Sequence, residues 1–211
     1  MQRWKNILYN ISFALNCMLL FLLVFESRLS LPAWVQTIGR MHTLILHFPV
    51  VLVLLSIAWE LFSRTKQFLF PEQTDIGDSL LLLTAFTSVA SALMGLLLSR
   101  EDGYTQDVVA WHKWGGVLIS LLTLAWYTYR TAIRRQKMVL AFTSVFALLF
   151  IVITGHLGAG ITHGDNFLLA PVSKDKAQPK VLLEDAVVYN DMVQPILKSK
   201  CISCHNEKKA K

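Results

Sequence analysis

Charge is what this sequence has least of. Of its 211 residues only 16% are Asp, Glu, Lys or Arg, against about 25% in an average soluble domain. With 54% hydrophobic residues, that scarcity excludes an ordinary water-soluble domain and leaves a membrane composition. No paired carboxylates, nucleophile triad or phosphate-binding glycine loop is visible, so nothing points to a stand-alone enzyme. Also missing is an A-x-A site after the first apolar run, which favours an uncleaved signal anchor over a cleaved signal peptide. The formal charge of +6 could suggest nucleic acid, but the basic residues sit at the ends of apolar runs. There they act as orientation signals, and nucleic-acid binding is not expected.

What is abundant is long apolar sequence. Five runs reach the roughly 20 residues needed to cross a bilayer: 7–25, 42–62, 78–99, 111–129 and 138–158. Without water in the lipid core each must be helical to satisfy its own backbone. The sequence therefore predicts an all-α membrane protein with five transmembrane helices, a signal anchor followed by a four-helix bundle. Arg3, Lys5, Arg64, Lys66, Arg130, Arg134, Arg135 and Lys137 flank one side, and Arg28, Arg40, Arg100 and Lys113 the other. That asymmetry predicts a cytoplasmic N-terminus in a bacterial inner membrane, and everything after about residue 158 in the periplasm. Residues 31–42, with Pro32 and the interfacial Trp34, are expected to lie along the outer membrane surface. The division is then 1–30 anchor, 31–168 membrane domain, 169–187 linker and 188–211 a separate start. Within the last piece, a helix leading to residue 200 is expected to bend or restart at Pro195.

Cysteine is scarce, with three in all. Cys17, inside the first apolar run, reads as a buried, inert thiol. The other two stand in CISCH (201–205), where Cys201 and Cys204 flank two residues and His205 follows at once. That is the spacing on which c-type haem is attached, with a simple disulfide as the bland alternative. Only six residues follow the motif, whereas a cytochrome c fold needs roughly 80–100 with the distal ligand well downstream. The motif thus reads as the opening of a longer domain.

The predicted topology gathers the histidines on one side. His42 and His47 enter the second helix, His112 opens the fourth, His156 closes the fifth and His163 lies just beyond. Polar groups at membrane depth usually face a cavity, a bundle interior or a cofactor. His47, His112 and His156 are the stronger candidates for ligands of a b-type haem or a metal, with His42 and His163 weaker because they lie nearer the boundary. His47 and His156 are also the tentative metal ligands, and His205 the axial ligand of the covalent haem. Bis-histidine haem, a Zn or Cu site, and a proton-handling cluster beside a quinol pocket all remain open at this point. Gly115 and Gly116 beside His112, and Gly155, Gly158 and Gly160 around His156, could admit a haem or simply close helix packing.

Three stretches carry a resemblance. IGRMHTLILHFPVVLVLL, LLSREDGYTQDVVAWHKWGGV and ITGHLGAGITHGDNFL resemble a family of bacterial membrane domains of unknown function with a four-helix core, over roughly residues 38 to 168. Thr43 replaces the usual proline after His42, and Ala159-Gly160 replaces Gly-Gly. A second stretch, VYNDMVQPILKSKCISCHNEKKAK, resembles the opening of a planctomycete-type cytochrome c domain. This resemblance implies haem c thioether-linked to Cys201 and Cys204, with His205 as proximal ligand. The expectation is a membrane-anchored electron-transfer protein. It would pass electrons between a quinol or b-type haem in the membrane and a periplasmic redox partner. The rival expectation is an accessory subunit that anchors and docks onto a larger membrane complex, through the small-residue stretches 87–95 and 155–160.

Overall fold

A computed structural model of the chain describes residues 2–65, 73–101, 106–163, 172 and 187–201. Among these residues the structure is entirely helical, with five helical stretches long and apolar enough to cross a membrane. The first is α1 (Gln2–Val24). The second is built in three pieces, α2 (Ala33–Arg40), α3 (His42–Ile45) and α4 (His47–Thr65). Then come α5 (Gln73–Leu98), α6 (Gln106–Arg135) and α7 (Lys137–His163). At α5 and α6 the ends suit the helix dipole. Asp75 and Asp107 sit in the first turns of α5 and α6, and Arg134 and Arg135 in the last turn of α6.

The centre of the bundle is α5, which packs against α1, α2, α3, α4 and α6, while α7 packs on α6 and α4. Half of the most apolar window of α5 is buried (50%), against 17–28% for the other four spans. Two apolar clusters stack along it. Val53, Leu81, Leu82, Trp126, Tyr127, Leu140 and Ala147 fill one, and Leu19, Val89, Leu93, Leu96 and Val117 the other.

Apolar packing gives little drive for association when lipid is equally apolar, so hydrogen bonds between helices take on part of the task. Ser120 Oγ on α6 donates to Asn16 Oδ1 on α1 at 2.7 Å, and the Asn16 amide donates to Ser12 O at 2.9 Å. Ser56 on α4 and Thr84 on α5 bond at 2.9 Å. Ser120→Ala leaves the Asn16 carbonyl short of a donor and should lower stability by about 0.6–1.7 kcal/mol. Denaturant titration in bicelles measures this, and an unchanged midpoint would show that the Ser120–Asn16 bond contributes nothing net to holding α1.

The inward face of α1 carries Lys5, Ser12, Asn16 and Leu19, a polar stripe hidden inside an apolar run. Cys17 lies one residue, about 100° of helix turn, past Asn16. It is therefore exposed on the outward side of α1, not buried as its apolar surroundings suggest.

At the α1 N-terminal end, charges lock the helices. Arg134 donates from Nε to Glu60 Oε2 at 2.7 Å and from Nη1 to Asp78 Oδ1 at 2.6 Å. Arg130 pairs with Asp78 Oδ2 at 2.8 Å and lies over the Tyr127 ring. Lys5 pairs with Asp75 at 2.5 Å. Two guanidiniums thus meet two carboxylates where α4, α5 and α6 converge.

At the opposite end the second span breaks twice. Pro49, the third residue of α4, has no N–H for the Ile45 carbonyl, so the helix interrupts at Leu46. The other break, at Met41, lets α2 turn onto the end of α5. There a Cβ on Gly39 would lie 2.8 Å from Leu98 N, so only glycine permits the approach. Within residues 31–42, α2 is docked on α5, with Trp34 left 70% exposed.

Past the bundle, a π-helical turn (Val188–Val193) leads into α8 (Gln194–Lys200), whose second residue is Pro195. The helix is not interrupted there; it passes from π to α at Gln194, next to that proline. The expected linker at 169–187, apart from residues 172 and 187, lies outside the described residues, as do positions 202–211.

Candidate functional site

The two imidazoles that meet inside the bundle are His42 and His112. Their ring centroids are 6.1 Å apart, with the ring planes at 81°. They come from α3 and the first turns of α6, seventy residues apart in sequence, and are carried to the same end of the bundle by the alternation of the spans.

Each ring is fixed in the same manner. His42 Nδ1 is 2.9 Å from the carbonyl oxygen of Ser91 on α5, and His112 Nδ1 is 2.9 Å from that of Thr154 on α7. A carbonyl oxygen can only accept, so each Nδ1 carries the proton and donates it. Each Nε2 is then left as a bare lone pair. The Ser91 hydroxyl adds a contact to His42 Nδ1 at 3.3 Å. Among the described residues no hydrogen bond reaches either Nε2.

Glycines make the seats. A Cβ on Gly95 would lie 3.1 Å from the His42 ring, and one on Gly158 would lie 2.9 Å from the His112 ring. Ser91 and Gly95 are one turn apart on α5, and Thr154 and Gly158 one turn apart on α7. Each ring therefore rests on a carbonyl and a glycine of the same helix face. One turn below His112, Gly116 has nothing within 4 Å of its Cβ position, so space opens beside α6 there.

The other sequence candidates are elsewhere. His47 is exposed, its Nδ1 only loosely placed 3.4 Å from Leu44 O. His156 and His163 are exposed on α7. Cys201 caps the C-terminus of α8 and has no disulfide partner among the described residues; Cys204 and His205 lie outside them. Among the described residues no group of three His, Cys, Asp or Glu side chains is placed to hold a metal ion.

Rotation explains the division. His47 follows His42 by five residues, which on a continuous helix turns it by about 140°. His156 is two residues from both Thr154 and Gly158, about 200° away from the face that seats His112. If His42 and His112 point in, the other two must point out. The small residues Ser91, Gly95, Thr154 and Gly158 were the signal in the sequence that marked the inner faces.

Carboxylates around this end neutralise its basic residues. Glu101 pairs with Arg40 at 3.0 Å, and Glu26 takes Lys113 at 2.5 Å with Arg100 at 3.9 Å. None of these acids stood among the sequence candidates. They fasten α2 to the end of α5, and the turn after α1 to α6, immediately around the histidine pair.

No curated protein and no solved structure matches this chain. The chain matches a family described as "Predicted membrane protein (DUF2231)" over residues 40–166. That interval begins at Arg40, the last residue of α2, and closes just past His163, so it takes in α3, α4, α5, α6, α7 and all five membrane-side histidines. It covers more than half of the chain, and the protein belongs to this family of predicted membrane proteins.

Proposed function

We propose that the chain is a membrane-anchored c-type cytochrome. It passes electrons between a redox group at the histidine end of the bundle and a periplasmic partner protein. Haem c is attached through thioethers to Cys201 and Cys204, with His205 on the iron. The membrane-side group is a quinol or a b-type haem. The protein sits in the bacterial inner membrane with its C-terminal part in the periplasm, as the lysine and arginine distribution predicts. It is an electron carrier rather than a stand-alone enzyme.

The observation that supports this most is one of placement. Five spans bring the chain out of α7 at the end where His42 and His112 meet. The CISCH motif comes after that exit in the sequence, which supports a common side for it and for the imidazole pair. A covalent redox centre and a buried histidine pair on one side of a membrane suit electron transfer between them. The outward-facing His47 and His156 favour docking against a larger membrane complex, since polar groups on lipid are costly.

The test is a pyridine haemochrome spectrum of the full chain, purified from a host that matures c-type cytochromes. One covalent haem per chain is expected, surviving acid-acetone extraction and lost in Cys201→Ser/Cys204→Ser. No covalent haem, in a host that loads a control cytochrome c, would sink the proposal.

A further inference from the structure

We infer that His42 and His112 are the two axial ligands of a b-type haem, bound through Nε2. This rests on the electron-transfer reading but commits to a cofactor class that the reading leaves open. The ligand pair also differs from the one that membrane depth alone favours in the sequence.

The first argument is distance. Iron held between two imidazoles by bonds of about 2.0 Å, the usual length for imidazole on a first-row metal, sets the ring centroids about 6.3 Å apart when the ligands are opposed. The observed separation is 6.1 Å, with near-perpendicular ring planes. A tetrahedral angle at the metal would draw the same centroids to roughly 5 Å. Opposed ligands are what an octahedral haem iron requires. A tetrahedral Zn site needs four donors, and among the described residues no third His, Cys, Asp or Glu joins the pair.

The second argument is the way the rings are held. A ligating histidine typically donates its other N–H to a carboxylate, carbonyl or water, which fixes the tautomer and raises ligand basicity. Both rings do so to a backbone carbonyl at 2.9 Å, and neither Nε2 has a hydrogen-bond partner among the described residues. A quinol hydroxyl could also donate to a bare Nε2, so it is the spacing of the pair that favours the haem.

The third argument is room. A macrocycle centred between the rings must pass close to a helix backbone. Gly116 lies one turn below His112 on the same face of α6, with open space at its Cβ position. Gly95 and Gly158 are taken up by the imidazoles; Gly116 is left for the porphyrin edge. When bound, the haem supplies one-electron transfer, and the chain's part is to orient the two Nε2 atoms and shield them from water.

The experiment uses the full-length protein and reads extractable haem by pyridine haemochrome, with electron paramagnetic resonance for the ligand set. Wild type should hold one acid-acetone-extractable low-spin haem beside the covalent one. His42→Gly and His112→Gly should each lose it, covalent haem unchanged, and added imidazole should restore the low-spin signal. His47→Ala and His156→Ala should keep it, and Gly116→Leu should cut its occupancy several-fold with helical content intact. Covalent haem without extractable haem overturns this inference and leaves the electron-transfer reading standing. Extractable haem that survives loss of His42 or His112 overturns the ligand assignment. Quinol-analogue binding that depends on both histidines, with no extractable haem, replaces it with a quinol site. If covalent haem alone is missing, the reading above fails and the axial pair stands.

Discussion

Glu60→Ala should lower the unfolding free energy by about 3–5 kcal/mol, the cost of leaving a buried partner charge uncompensated. The Glu60 side chain is 1% exposed and takes two hydrogen bonds from the Arg134 guanidinium, which is itself 14% exposed. Arg134 cannot shed its proton, so removal of Glu60 leaves a guanidinium facing Asp78 alone. Asp78 is already shared with Arg130. Arg134→Ala should cost about as much, because Glu60 would then be the stranded charge. The double variant Glu60→Leu/Arg134→Leu should recover most of the loss, since apolar replacement of a whole buried pair is often neutral or better. Equilibrium unfolding in mixed micelles with the two single variants and the double one measures all three. A Glu60→Ala loss below about 1 kcal/mol would mean the pair is solvated and contributes only as a surface bridge does.

The second large effect is expected at the contact between α6 and α7. A Cβ on Gly115 would run into Thr154 Oγ1, with Thr154 Cβ and Cγ2 at 3.2 Å. Gly115→Ala should therefore cost about 1–3 kcal/mol, the usual range for overpacking. Thr154 Oγ1 is buried and has no hydrogen-bond partner, so Thr154→Ala removes the obstruction at little polar cost. The pair should be non-additive: Gly115→Ala/Thr154→Ala is expected to be more stable than Gly115→Ala alone. The Thr154 carbonyl also orients His112, so Gly115→Ala should disturb the low-spin haem signal and the double variant should restore it. Simple additivity of the two substitutions would show that α7 moves away freely and that the contact sets nothing.

Much of the architecture was legible in the sequence because lipid imposes a strong, one-dimensional rule. An apolar run of sufficient length must be a helix, and the five runs became five spans. What composition could not reveal was direction around each helix axis. The apolar run of α1 conceals an inward polar stripe at Ser12 and Asn16, which is why Cys17 looked buried and is not. The histidines followed the same logic. Depth in the membrane, which the sequence does give, made His47 and His156 look central. Azimuth, which depends on neighbours, turned them outward and brought His42 and His112 together. His42 looked peripheral because it lies at the edge of the apolar run, and the break at Leu46 was not anticipated. Glu60 and Asp78 passed unnoticed because the orientation rule counts only Lys and Arg; their meaning appears only once Arg130 and Arg134 are seen to be shared with them.

The interruption at Leu46 has a mechanical consequence. Without an amide hydrogen on Pro49, no backbone hydrogen bond ties Ile45 forward into α4. The short segment that carries His42 is instead fastened sideways, through Gly39 against the Leu97–Leu98 backbone and through its own ring on Ser91 and Gly95. His42 thus shares the reference frame of α5 although the chain continues into α4. The spacing between His42 and His112 is set by how α5, α6 and α7 sit together, and α4 bears on it through its own bonds to α5 rather than through the chain at Leu46.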